Sequence, residues 1–186
     1  MLKSVMAFVD GENLVCRYQD MLDGGRVPRA EVVHERDAFV WSPQITLWTE
    51  MDLLRVTYYT SLVGADERVA VVERRIGETL FKCRASGAGY TGTAQIIPRV
   101  HKRLASSRKS KVVDVDITLD VMRAALEAPV GGIFLLTGDG DYLALIREIT
   151  RRTSKQVYLG AFSSGLAEAL RHNVEAFVNL DGMFFE

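Results

Sequence analysis

The chain is poor in the side chains that build soft metal sites and redox centres. It has two cysteines and three histidines in 186 residues, and none falls at metal-ligand spacing. Zinc is thereby disfavoured, and Cys16 and Cys83 read as reduced, buried thiols of a cytosolic protein. No apolar run approaches the roughly 18 residues of a membrane span. The opening MLKSVMAFVD has a short apolar run that ends in an acid, so neither a signal peptide nor an anchor is expected. An excess of one charge is also lacking. With a formal net charge of −1 there is no global basic field, and recognition of a polyanion would have to come from a local cluster. No Ser/His/Asp grouping offers nucleophilic chemistry.

What is present is enough apolar side chain, 48% hydrophobic residues, for one domain with a real core. Short apolar runs recur as candidate buried parallel strands: Ser4–Val9, Leu54–Leu62, Ala94–Val100, Gly132–Leu136, Gln156–Phe162 and a weaker Ala176–Leu180. Between them, three- and four-residue apolar spacing predicts helices over Asp66–Arg84, Asp116–Ala128, Tyr142–Arg152 and Ser163–His172. Strands alternating with helices argue for an α/β sandwich around a mostly parallel central sheet. Residues 23–51 break this rhythm with Gly-Gly and two prolines, and read as an insertion made of a hairpin and a short helix beginning near Pro43.

The chemistry sits at the strand ends. In an open parallel sheet, ligands bind beyond the carboxyl ends of the strands. Asp10 ends the first strand and Asp139 follows the fourth, in LLTGDGDY. In KVVDVDITLD, Asp114 and Asp116 begin a helix and Asp120 lies one turn on. If the first and fourth strands are neighbours, Asp10, Asp114 and Asp139 meet at one edge. Each acid alone could be a helix cap or a solvated side chain. Together they would repel one another unless a cation neutralised them, and hard oxygen donors of this type suit Mg²⁺ or Mn²⁺.

Three ordered segments, FVDGENL, KVVDVDITLDVM and LLTGDGDYLALI, resemble the signature segments of NYN domains, a branch of the PIN-like nuclease superfamily. The ending VYLGAFSSGLAEALRHNVEAFVNLD is similar to that family's closing strand, helix and terminal segment. The likeness covers about residues 4–22 and 52–181 and leaves the insertion outside. It implies a three-layer α/β/α PIN-like sandwich whose acids hold Mg²⁺ or Mn²⁺ for hydrolysis of RNA phosphodiester bonds. Carried over by motif, Asp10, Asn13, Asp114, Asp139 and Asp141 are the expected catalytic set. Of these, Asp10, Asp114 and Asp139 are the expected direct metal ligands, with Asp141 completing the shell directly or through water. Asp116, Asp120 and Thr137 are expected to support the site without ligating, Thr137 standing where serine is more usual.

Substrate phosphates need cations too. RVHKRLASSRKSK runs directly into the Asp114 motif and offers Lys102, Arg103, Arg108, Lys109 and Lys111 as RNA contacts, against the plain alternative of a solvated loop. Tyr18 and Tyr90 are candidates to stack on bases. GAGYTG matches GxGxxG, but a helical pattern precedes it and a strand-like run follows, so no dinucleotide is expected. Competing readings are a catalytically weak RNA- or protein-binding module of the same fold and, further off, a small phosphatase, for which DGEN lacks the second nearby aspartate. The insertion and the tail MFFE are candidates either for self-association or for packing on the domain.

Overall fold

A computed structural model describes residues 4–48, 51–84, 91–103 and 111–186. Among these the elements run β1 Ser4–Asp10, α1 Gly11–Asp23, β2 Val33–Glu35, β3 Phe39–Trp41, α2 Gln44–Trp48 and β4 Asp52–Leu62. There follow α3 Asp66–Glu78, β5 Leu80–Arg84, β6 Thr91–Gln95, β7 Ile97–Lys102, α4 Lys111–Glu127 and β8 Gly132–Leu136. The chain closes with α5 Leu143–Arg152, β9 Gln156–Ala161, α6 Glu168–Arg171, β10 Ala176–Asn179 and α7 Asp181–Phe184.

Six strands form one parallel sheet in the order β10-β9-β8-β1-β4-β7. The chain moves outward from β1 to β4 and β7, returns to β8 on the other side of β1, and moves outward again. The strand order therefore reverses between β1 and β8, where Val9 pairs with Leu136. A reversal of this kind leaves a crevice at the carboxyl edge, since the crossovers on its two sides diverge. Asp10 and Asp139 both fall there.

Alternation along β1 divides the core into two layers. Val5, Ala7 and Val9 join one cluster with Leu14, Val15 and Tyr18 of α1 and Val72 and Ile76 of α3. Phe8 joins the other with Val113, Ile117 and Val121 of α4 and Ile146 and Ile149 of α5. Helices thus cover both faces, as buried parallel strands require. The turn from β1 into α1 is tight. A Cβ on Gly11 would lie 2.2 Å from the Tyr58 ring and 2.5 Å from the Tyr59 carbonyl oxygen, so only glycine lets α1 start against β4.

Four sequence expectations change. The helix expected over Asp66–Arg84 ends at Glu78, and residues 80–84 form β5, paired antiparallel with β6. Leu80 keeps the helical spacing but is 50% exposed, while Phe81 is buried. The strand expected over Ala94–Val100 is two strands in two sheets, broken at buried Ile96. The helix expected over Ser163–His172 shrinks to Glu168–Arg171, because Asp181 binds both the amide and the hydroxyl of Ser163 and Gly165 takes φ 76°. A strand, β5, precedes the GxGxxG segment; since the strand β6 follows it, the dinucleotide fingerprint still lacks its helix.

The insertion is the expected hairpin, β2 with β3, followed by α2. It is bound to the chain's end. The Arg29 amide donates to the Phe184 carbonyl, Ser42 Oγ donates to the Met183 carbonyl, and Glu186 N donates to the Val27 carbonyl. Met183, Phe184 and Phe185 are buried, with Phe185 stacked on Tyr18 at 5.1 Å. Met183, Phe184 and Phe185 of the tail therefore pack on the domain, and only Glu186 is exposed. Tyr18 is also core, 2% exposed, and cannot stack on a base. Cys16, expected buried, is exposed on α1.

Candidate active site at the strand ends

Asp10 is the last residue of β1 and the N-cap of α1. Its Oδ1 accepts the Asn13 amide at 3.1 Å and its Oδ2 accepts the Thr137 hydroxyl at 2.9 Å. It is 2% exposed. Burial pushes its carboxyl up to about 7, with the charges of Asp114 and Glu12 adding to the rise and the two hydrogen bonds opposing it. Both donors are neutral, so they satisfy the lone pairs without cancelling the charge.

Thr137, just past β8, connects the two strand ends. Its hydroxyl donates to Asp10 and accepts the Asp139 amide at 3.1 Å. A hydroxyl that donates and accepts does what neither an alanine nor a valine could, which explains why threonine stands well in a serine position. Asn13 makes the third link, its Oδ1 accepting the Gly138 amide at 2.9 Å. Asp139 caps the one-turn 3₁₀ helix Gly140–Tyr142, its Oδ1 accepting the Asp141 amide at 3.0 Å. The capping alternative is thus true of Asp10 and Asp139, yet each carboxylate oxygen has a second lone pair. Neither Gly138 nor Gly140 has positive φ; Gly138 leaves room, since a Cβ there would sit 3.0 Å from the Gly165 carbonyl oxygen.

Asp114 reaches the same place from the first turn of α4, where its Oδ1 accepts the Tyr142 hydroxyl at 3.2 Å. Tyr142 is held far above the usual phenol range, first by burial and then by the charges of Asp10, Asp114 and Asp139 together. Of these three, Asp114 bonds the hydroxyl, while Asp10 and Asp139 act on it through their charge. Sequence reasoning missed Tyr142; its place directly after GDGD, facing back toward an acid, was the available signal. It missed two others. Ser61 Oγ donates to Glu12, and Arg17, one turn after Asn13 on α1, bonds Asp20 at 3.1 Å. Both line a groove of about 560 Å³ with Asn13, Arg103 and Asp139, whose wall also carries Glu12, Asp20, Asp23 and Asp37.

The remaining expected residues stand apart. Asp141 is exposed in the 3₁₀ turn. Asp116 pairs with His101 Nε2 at 2.8 Å. Asp120 accepts the Tyr59 hydroxyl at 2.8 Å and the Arg123 guanidinium at 3.0 Å, in the wall of a second cavity of about 530 Å³ on the α4 face of the sheet. Lys102 bonds Asp66 at 2.6 Å. Lys111 is exposed at the start of α4, close in sequence to Asp114. Arg108, Lys109 and Tyr90 lie outside the described residues.

Among the described residues, no three His, Cys, Asp or Glu side chains are set closely enough to chelate one ion as they stand. The donor set still suits a hard cation that keeps its waters. Mg²⁺ is commonly held by one or two carboxylates, with water and substrate phosphate filling the other positions. A buried carboxyl raised to about 7 beside two others would lose its proton to such an ion.

A family model described as NYN domain matches residues 4–181. Among solved structures, a protein of unknown function from Vibrio parahaemolyticus is similar in fold, with a TM-score of 0.59 and 19% identity, covering 100% of this chain and 97% of that one. No curated protein matches.

Proposed function

The chain belongs to the NYN domain family, a PIN-like nuclease family whose nucleases generally use divalent metals, and from that premise we propose that it is a Mg²⁺- or Mn²⁺-dependent ribonuclease. The observation that supports this reading is the chain of hydrogen bonds that ties Asp10 through Thr137 to Asp139 at the reversal of strand order, with Asp114 beside it on the Tyr142 hydroxyl. In this reading Asp10, Asp114 and Asp139 would hold the ion, with Asp141 completing the set directly or through water. The ion would supply Lewis-acid polarisation of the phosphate and a more acidic bound water.

The chain's own residues do the rest. Thr137 and the Asn13 amide fix both oxygens of Asp10, so the carboxylate presents one rotamer to the ion. Asn13 clamps the loop by taking the Gly138 amide, which fixes the height of Asp139 above the strand end. Tyr142 donates to Asp114 and holds its carboxylate toward Asp10. Arg103 and Arg17 line the adjoining groove, where they would meet the phosphates of a single strand, and Lys111 would meet a phosphate next to Asp114. Lys102 is bonded to Asp66 and Arg17 to Asp20, so each would give up that pair to meet a phosphate.

A catalytically weak binding module of the same fold is favoured by one observation, that the acids as placed do not chelate one point. One experiment separates the two. Purified protein is incubated with labelled single-stranded RNA and DNA in Mg²⁺, Mn²⁺ or EDTA, beside Asp139→Asn. The nuclease reading expects RNA cleavage that EDTA and the substitution both abolish. Cleavage that survives either one comes from a contaminant, and RNA bound but never cut gives the decision to the binding module.

A further inference from the structure

Helix α4 is apolar on two sides. Val113, Ile117, Val121, Ala124 and Ala125 are buried against the sheet. Val112, Val115, Leu119 and Leu126 are 54%, 54%, 55% and 58% exposed, and Met122 between them is partly buried. These five residues recur at alternating three- and four-residue steps. At about 100° per residue they fall within an arc of roughly 80°, about half a turn from the buried face. A surface helix normally has polar residues there. Single exposed apolar residues are ordinary, but an ordered seam at heptad spacing is the pattern by which one helix packs on another.

We propose that α4 is a self-association surface, through which two copies of this chain pair antiparallel about Leu119. The seam is self-complementary in that arrangement. With Leu119 on the two-fold axis, Val112 faces Leu126 of the second copy and Val115 faces Met122. Along one flank, Asp116 then lies beside Arg123 of the second copy, and Arg123 beside its Asp116, so both flanking pairs are of opposite charge. Asp116 is 38% and Arg123 64% exposed; Asp116 already meets His101 Nε2 at 2.8 Å and Arg123 meets Asp120, both surface pairs of the kind that contributes little and that the contact between copies would share or replace.

The seam is about 20 Å long, and one helix face of that length buries less than the roughly 800 Å² per partner of a standard interface. The dimer is accordingly expected to be of micromolar strength. Asp114 lies about a third of a turn from the seam, so pairing leaves the strand-end acids accessible. Nothing in this proposal depends on the nuclease reading.

Sedimentation velocity of the full chain over a range of concentrations is the test, beside Leu119→Glu, with circular dichroism as the check that the exposed substitution leaves the fold intact. The expected result is a monomer–dimer equilibrium in the micromolar range, with the dissociation constant raised at least about tenfold by Leu119→Glu. In a Cys16→Ser background, Leu119→Cys is expected to crosslink with its own copy under a mild thiol oxidant, whereas Leu126→Cys is not. Asp116→Arg is expected to weaken the dimer, and Arg123→Asp added to it to restore the dimer. A chain that stays monomeric at all concentrations overturns the proposal, as does a dimer indifferent to Leu119→Glu. Equal crosslinking of Leu119→Cys and Leu126→Cys indicates parallel helices and overturns it as well.

Discussion

Two tyrosine–aspartate pairs on opposite sides of β1 differ in what surrounds them. Tyr142 donates to Asp114 at 3.2 Å and Tyr59 donates to Asp120 at 2.8 Å, with both aspartates on α4. Both phenols are pushed well above their ordinary range, by burial first. Around Tyr59, Arg99 pulls back against the two acids, and Arg123 bonds Asp120 directly. Around Tyr142, three carboxylates all push the same way. The first arrangement is internally balanced and serves packing. The second, with Asp10 raised to about 7, is an arrangement that a cation would stabilise. The same residue type two turns along one helix thus acquires two jobs, decided by which strand end it meets.

The largest expected contrast is in activity. Asp10→Asn or Asp139→Asn should lower Mg²⁺-dependent RNA cleavage by about a hundredfold or more, while Asp120→Asn should leave it within about threefold. A comparable loss from Asp120→Asn, in initial rates at saturating metal, would erase the distinction between the two pairs.

Next in size is a stability effect confined to the strand-end acid. Asp10 folds with its carboxyl raised from 3.8 to about 7. Its contribution is therefore fully present below about pH 4 and is lost as pH rises toward 7, where the unfolded chain has released the proton and the folded chain must release it too. In EDTA, Asp10→Asn should become more stable than the parent as pH rises through this window. The difference should level off above about pH 7 at no more than on the order of 4 kcal/mol. Paired thermal melts between pH 5 and 8.5 would read it, and a constant difference across that range would mean that Asp10 is not raised.

The groove cations come third. Replacing Arg103 and Lys111 by Ala should reduce the slope of log affinity against log salt by about two, one per lost phosphate contact. Fluorescence anisotropy with a short RNA gives the slope, and an unchanged value removes both residues from the RNA path. The smallest effects sharpen the comparison most. Tyr59→Phe should cost about 1 kcal/mol of stability with no change in cleavage, and Tyr142→Phe should raise the Mg²⁺ concentration needed for half-maximal rate.

The strand-end acids could be read from the chain because each sits where an apolar run stops, and the reversal of strand order then brings them together. Local pattern was less informative where two periods coincide. Leu80 continues the spacing of Val69, Val72 and Ile76, yet residues 80–84 leave the helix to pair with β6, which spacing alone cannot report. The run AQIIPRV is evenly apolar, and its break at Ile96 follows from a corner between two sheets. Ser61 and Arg17 carry no local signal, because their places depend on a partner or a groove wall supplied by other elements, and Tyr142 is marked only by following GDGD, its bond to Asp114 being made across elements. Asp116 and Asp120 matched the expected helix but meet His101 and Tyr59, partners that only the three-dimensional packing of α4 on the sheet assigns.

Binding of Mn²⁺ to the RNA-free protein, followed by calorimetry at pH 8, tests most directly that the acids around Tyr142 form a cation site. Saturable binding is expected for the parent chain and for Asp120→Asn, and at least about tenfold weaker binding for Asp10→Asn and Asp139→Asn. Equal binding by all four proteins, or none by the parent, would contradict it.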